Sequence, residues 1–254
     1  MKEGDLTNAA GWETMWRRGG GGVRARVSAA LARDYDAVMS GILDSAAHGE
    51  AIDVLELGCA PGTMIEMMHR LRPQHRYGGV DIALESLGPT RDRVAAGGCD
   101  VTLWAGDLRD IVLPRRFQLV VSIGLIEHFD DPAEVIRHHA RLAAPGGMVA
   151  VTVPNYAHPL VARLLARVSP ETLATHNLAI MSKPAIRDAL VAAGLGDIRV
   201  GGATGPILPV SRPRAGAVGA VYATAARAWN LTTGFLPDGL RPWNGMLWGT
   251  GIVS

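Results

Sequence analysis

From Ile52 onward, short aliphatic and β-branched runs alternate with amphipathic stretches, the rhythm of strand–helix–strand units. The runs are Ile52 to Leu57, Tyr77 to Asp81, Val101 to Ala105, Leu119 to Ile123, Met148 to Val153 and a weaker one at Asp197 to Gly201. They are predominantly apolar, as strands covered on both faces of a parallel sheet must be. Between them the pattern predicts helices at Thr63 to Leu71, Ala83 to Ala96, Pro132 to Leu142 and Lys183 to Ala193, with Gly194 closing the last. Ahead of the first strand, Val27, Leu31, Tyr35, Val38 and Ile42 recur at helical spacing. Beyond the last run come an apolar segment, Ala215 to Asn230, and a terminal MLWGTGIVS that reads as an edge strand.

The pattern divides the chain into an N-terminal helical lid (1–50), a core (51–201) and a C-terminal cap with a final strand (202–254). Six runs and the terminal strand make a doubly wound α/β architecture around a mostly parallel, seven-stranded sheet. The N-terminal region carries Trp12 and Trp16 one helical turn apart, then Arg17, Arg18 and the run Gly19 to Gly22. This is the composition of a lid on a hinge, or of an ordinary amphipathic helix that packs.

Composition narrows the classes. The 254 residues are 48% hydrophobic and 19% charged, which is globular and not disordered. A net charge of +1 without a basic block disfavours nucleic acid as a partner. Cys59 and Cys99 are too few for a disulfide framework and lack the spacing of a zinc site, which fits a reducing cytoplasm. The N-terminal sequence has no signal-like apolar stretch, and no apolar run is long enough to span a membrane.

The chemistry is concentrated where strands end. In VLELGCAPGT a buried strand runs into Glu56, turns through Gly58 and small residues, and enters a helix whose first N–H groups favour an anionic ligand group. A dinucleotide fingerprint would place glycines where Gly58, Ala60 and Thr63 stand, so NAD is disfavoured; no Lys-Ser/Thr ending makes this a triphosphate loop. About twenty residues on, Asp81 ends the second strand, where a carboxylate can accept from both ribose hydroxyls, and Ile82 offers an apolar neighbour to a base. The third strand leads to GDLRD, with Asp107 placed to accept from an exocyclic amine and Leu108 to lie against a ring. Packing for the glycines and capping for both aspartates are the alternatives.

Taken in order, VLELGCAPGT, VDIA, GDLRD, LVVSIGLIEHFDDP and LAAPGGMVAVTVPN resemble the motifs of class I S-adenosylmethionine-dependent methyltransferases, over about Ile52 to Asn155. The sequence is most similar to the branch of ubiquinone-biosynthesis and natural-product O- and N-methyltransferases. The resemblance implies a Rossmann-like fold and S-adenosyl-L-methionine as cofactor, with S-adenosyl-L-homocysteine as product. It implies Glu56, Gly58, Ala60 and Gly62 at the methionine part, Asp81 and Ile82 at the ribose and base, Asp107 and Leu108 at the adenine, and Ser122 and Ile123 near the methionyl amine. Ala60 departs from the usual glycine, which implies reduced clearance.

Methyl transfer is an in-line displacement at a sulfonium carbon and needs no metal. Alignment supplies most of the acceleration, with effective molarities of about 10⁵ to 10⁸ M in favourable systems. A base adds typically ~10² to 10⁴-fold where a proton must leave. His128, beside Glu127, and His176 are the candidate bases, or else polar loop residues; His138 and His139 read as helix surface. Trp229, Phe235, Trp243 and Trp248 in the tail suggest either an apolar small-molecule acceptor or a homodimer contact. Nucleic-acid base methylation, a non-catalytic cofactor-binding subunit and a NAD-dependent oxidoreductase are the competing functions; the fourth-strand motif IEHFDDP lacks the Asn/Asp-Pro-Pro-aromatic signature of the first.

Overall fold

The computed structural model describes residues 5–7, 11–13, 29–208, 216–233 and 243–254. Val27, Trp16, Arg17, Arg18, the Gly19 to Gly22 run and Phe235 lie outside them. In chain order the elements are α1 (Ala29–Ala47), β1 (Asp53–Leu57), α2 (Thr63–Leu71), β2 (Arg76–Asp81), α3 (Leu87–Ala96), β3 (Val101–Ala105), β4 (Phe117–Ile123), α4 (Pro132–Leu142), β5 (Ala143–Pro154), α5 (Pro159–Val168), α6 (Pro170–Ala174), α7 (Lys183–Ala192), β6 (Gly196–Ala203), α8 (Ala217–Thr233) and β7 (Met246–Ile252).

Seven strands form one sheet in the order β3-β2-β1-β4-β5-β7-β6. β1 pairs in parallel with β2 and β4, and the β2–β3 and β4–β5 pairs are also parallel. The order reverses between β1 and β4, and this is where a crevice opens at the carboxyl ends of the strands. β7 pairs antiparallel with both β5 and β6. The terminal strand is therefore interior and not an edge: its small residues Gly249 and Gly251 admit the side chains of Ile186, Leu190 and Leu195, which a Cβ would strike at 2.4 to 2.8 Å.

Alternate strand residues feed two cores, as the two-residue side-chain period requires. Val54, Leu119, Val121 and Ala150 face a cluster with Met39, Leu43, Ile65 and Met68 from α1 and α2. Leu55, Leu57, Val120, Val149 and Val151 face the opposite cluster with Val135, Ile136, Ile186 and Leu190 from α4 and α7. Leu43, Met39, Ile65 and Ile136 are fully buried; each such side chain contributes about 1.5–3 kcal/mol relative to exposure.

Two expectations are corrected here. The helix assigned to a lid within 1–50 packs on the sheet as α1, because Met39, Ile42 and Leu43 supply a buried stripe to the cluster that holds Ile65 and Met68. Of the described residues ahead of α1, Asp5, Thr7 and Trp12 line the crevice. His139 is also not a surface residue: it is fully buried on α4, its Nδ1 2.8 Å from the Val135 carbonyl oxygen. α8 and α5 enclose a smaller apolar cluster of Val161, Leu165, Leu208 and Ala226, flanked by Tyr156, Trp229 and Trp243.

Candidate active site

The turn after β1 is fixed by backbone bonds into its neighbour. Gly58 (φ 75°) and Cys59 donate their N–H groups to the Val80 carbonyl at 2.8 and 3.2 Å, and Gly62 takes φ 84° as α2 begins. The turn can lie this close to β2 because Gly79 has no side chain; a Cβ there would stand 2.6 Å from Cys59 Sγ. Asp81 then ties the two strand ends together. Its Oδ2 accepts from Ala60 N–H and its Oδ1 from Ala83 N–H, each at 2.8 Å. Each carboxylate oxygen has a second lone pair, so bracing the loops and accepting ribose hydroxyls are compatible.

Burial raises the Asp81 carboxyl above the usual carboxylate range, against the pull of those N–H groups. Glu56, 2% exposed, is raised much further, first by burial and then by the nearby Asp81 charge. Its Oε2 and the Ser122 Oγ are buried without a hydrogen-bond partner. Orphaned buried acceptors are costly unless a ligand completes them, on the order of 1–3 kcal/mol each.

A crevice of about 110 Å³, partly open to solvent, lies over these strand ends. Gly58, Ala60, Asp81, Ile82, Asp107, Leu108 and Ile123 line it, whereas Glu56, Gly62 and Ser122 are not in its wall. Among the wall residues that the sequence alone did not single out are Asp5, Thr7, Arg109 and Phe129. Asp107 faces Arg109, whose Nε and Nη2 reach its carboxylate at 2.9 and 2.6 Å. Arg109 stood within the quoted GDLRD motif, but its partner Asp5 comes from the far end of the chain, and no local spacing announces that pairing.

Beside the crevice the structure brings the two candidate bases together. His128 ends a 3₁₀ turn, Ile126–His128, and His176 follows α6; their ring centroids are 4.4 Å apart. Burial, and next the neighbouring His176, pull His128 down to about 3, so at neutral pH it is an uncharged imidazole. Trp12 meets its ring edge-on at 4.7 Å and Thr7 Oγ1 lies 3.3 Å from its Nδ1. His176 Nδ1 lies 2.5 Å from the Thr172 carbonyl oxygen. A carbonyl only accepts, so Nδ1 carries the proton and Nε2 is the basic nitrogen of the neutral ring.

Glu127, 1% exposed, joins this pair; burial pushes its carboxyl up to about 8 and its Oε2 has no hydrogen-bond partner. Donor atoms of Glu127, His128 and His176 lie within 4.8 Å of one another, so among the described residues this trio has the donor set to hold a divalent cation. Tyr156 lies tilted against His176, with ring centroids 5.2 Å apart. It also borders the small C-terminal cluster, where the rings of His158, Trp243 and Trp229 stack in succession with nearly parallel planes, at 4.2 and 6.0 Å.

A doubly wound sheet whose first three strand tips converge on one crevice, with carboxylates at two of them, defines an enzyme built for an adenosine-bearing cofactor. Residues 29–200 match the model of a methyltransferase domain family. A ubiquinone biosynthesis O-methyltransferase from Burkholderia thailandensis is 28% identical over 180 residues, 67% of this chain and 76% of that one. Its namesake from Neisseria meningitidis is 32% identical over 117 residues, 43% and 49% of the two chains. The N-methyltransferase NodS from Bradyrhizobium japonicum, solved with S-adenosyl-L-homocysteine, shares 14% identity and a TM-score of 0.54 over 98% of this chain and 94% of its own. A S-adenosylmethionine-dependent methyltransferase from Thermotoga maritima gives 0.58 at 12% identity, over 96% and 98%. At these identities the structures establish the fold. The chain belongs to the class I S-adenosylmethionine-dependent methyltransferases.

No helix among the described residues is long and apolar enough to cross a membrane.

Proposed function

We propose that this enzyme transfers a methyl group to an oxygen or nitrogen of a small molecule of natural-product type. The observation that carries the reading is the meeting of two features at one crevice: orphaned buried oxygens, Glu56 Oε2 and Ser122 Oγ, beneath it, and an imidazole pair beside it in which Thr172 fixes the tautomer of His176. The orphaned oxygens suit an ammonium donor, so the residues fit the methionine end of the cofactor. Glu56, Gly58, Ala60 and Gly62 would hold that end, with Ser122 and Ile123 at its amine. Asp81 and Ile82 would take the ribose and base edge, and Asp107 and Leu108 the adenine. When bound, S-adenosyl-L-methionine supplies a methyl carbon made electrophilic by its sulfonium.

The chain's own residues supply alignment, dryness and a proton acceptor. Leu125 and Phe129 give the crevice wall an apolar surface. His176, held by Thr172, presents Nε2 as the acceptor of the proton that a hydroxyl or ammonium acceptor must lose. His128 is too weakly basic for that share of the work and serves to orient its partner. The ring series Tyr156, His158, Trp243 and Trp229 supports a planar, apolar acceptor entering from the C-terminal side. The similarity to the Burkholderia thailandensis O-methyltransferase of ubiquinone biosynthesis agrees with such an acceptor.

Isothermal titration with S-adenosyl-L-homocysteine tests the reading. Binding that His176→Gln leaves intact, with turnover on a phenolic acceptor panel reduced by ~10² or more, is the expected result. Purified protein that binds neither form of the cofactor overturns it.

A further inference from the structure

The described N-terminal pieces are pinned at both sides of the crevice. On the β3 and β4 side, Asp5 forms a β-bridge with Phe129, Leu6 N–H donates to the His128 carbonyl at 3.0 Å, and Arg109 grips Asp5 through Nη1 at 2.7 Å and Nη2 at 3.0 Å. On the β2 side, Glu13 accepts from Glu85 N–H at 2.8 Å and from Ser86 Oγ at 3.3 Å. Asp5, Thr7 and Trp12 thereby become part of the crevice wall.

One cation holds the first of these attachments. The Arg109 guanidinium spends one edge on Asp5 and another on Asp107, and lies 5.6 Å over the Phe129 ring. Side-chain exposures are 16% for Arg109, 9% for Asp5 and 14% for Asp107. In such a poorly hydrated place two carboxylates without the cation would repel each other, and the planar fork of arginine serves both at once where a lysine could not. The guanidinium also fixes the orientation of Asp107, the carboxylate expected at the adenine.

We infer that Arg109 is a positioning residue for the cofactor: it orients Asp107 and, through Asp5, latches residues 5–7 across the crevice, so that cofactor release requires the Asp5–Arg109 pair to part. The inference rests on the cofactor assignment above and adds a latch to it. It makes Asp5 a determinant of cofactor residence although Asp5 is remote in sequence from every cofactor motif.

The experiment uses the full-length protein with Asp5→Asn, Arg109→Lys, Arg109→Gln and the Asp5→Asn/Arg109→Gln double variant. Two quantities are read: S-adenosyl-L-homocysteine dissociation by stopped flow, and amide hydrogen exchange in peptides containing Asp5 to Thr7, without ligand. Asp5→Asn should speed dissociation on the order of tenfold and raise exchange at residues 5–7, while melting stays within a degree or two. Arg109→Lys should fall between the wild type and Arg109→Gln. In the double variant the two effects on dissociation should be less than additive, because either change alone opens the same contact. Unchanged exchange at residues 5–7 in Asp5→Asn, unchanged dissociation there, or strict additivity overturns the latch. Wild-type protein that binds no S-adenosyl-L-homocysteine would instead overturn the cofactor assignment, and the exchange measurement on ligand-free protein would still decide whether Arg109 holds Asp5.

Discussion

Asp81 and Ala60 are joined by a 2.8 Å hydrogen bond that links the end of β2 to the turn after β1. The carboxylate expected at the cofactor's ribose is thus also the brace of the loop expected at its methionine end. Replacing Asp81 by Ala removes both functions. The Ala60 and Ala83 N–H groups lose their acceptor, costing about 1–3 kcal/mol of stability, and S-adenosyl-L-homocysteine affinity should fall at least tenfold. Asp81→Asn keeps one acceptor oxygen and should recover part of the stability. Calorimetry and thermal melting on both variants, set beside His128→Gln, check this; His128→Gln weakening the cofactor more than Asp81→Ala would refute the assignment of roles.

Glu127 makes a second prediction, through pH. Its folded-state pKa, about 8, stands above the ordinary value of 4.5. Between those two values the folded chain holds a proton that the unfolded chain has released, so stability declines as pH rises from about 4.5 to 8. Glu127→Gln should flatten that decline. His128, about 3, and His139, about 4, act in the opposite sense: below 6.5 the unfolded chain binds protons that the folded chain refuses, and stability falls as pH falls. Denaturant melts of wild type and Glu127→Gln at pH 5, 6.5 and 8 measure both arms. An equal slope in the two proteins above pH 5 would contradict the burial of an unpaired carboxyl.

Glycine positions supply a third. Gly79→Ala drives a methyl to within 2.6 Å of Cys59 Sγ and 2.7 Å of its Cβ. Overpacking of this kind typically costs about 1–3 kcal/mol, and because it pushes on the turn after β1 it should also weaken S-adenosyl-L-homocysteine binding. Gly41→Ala, exposed in α1 with nothing within 4 Å of the added carbon, should stabilise by about 0.5–1 kcal/mol and leave binding alone. Melting temperature and titration on the pair separate the two outcomes.

A fourth concerns metal. In-line displacement needs none, so exhaustive chelation should leave turnover unchanged. A loss restored by a divalent cation, and abolished by Glu127→Gln, would assign the Glu127, His128 and His176 donor set to an ion.

The core was legible because its strands announce themselves. Val54 to Leu57 and Leu119 to Ile123 are apolar apart from Glu56 and Ser122, as strands covered on both faces must be, and the residues at their ends carry the motifs. What escaped depends on contacts between distant segments. MLWGTGIVS has strand character, but its seat between β5 and β6 is decided by the fit of Ile186 and Leu190 against Gly249, which no local pattern encodes. His139 read as surface because it sits beside His138 on a helix of polar composition, yet the period of that helix turns it inward with Val135 and Ile136. Asp5 and Glu13 are ordinary acidic residues near a terminus until Arg109 and Ser86 meet them.

The antiparallel β7 also governs how the molecule is assembled during synthesis. β5 acquires its outer neighbour only after the ribosome has produced everything from Asn155 to Gly245, and Pro154 then faces Met246 across the ladder. Until that moment β5 and β6 each present a bare ladder of amides and carbonyls to other nascent chains, an invitation to intermolecular pairing. Stop codons or proteolytic nicks just before Met246 should therefore yield aggregates and not a trimmed enzyme.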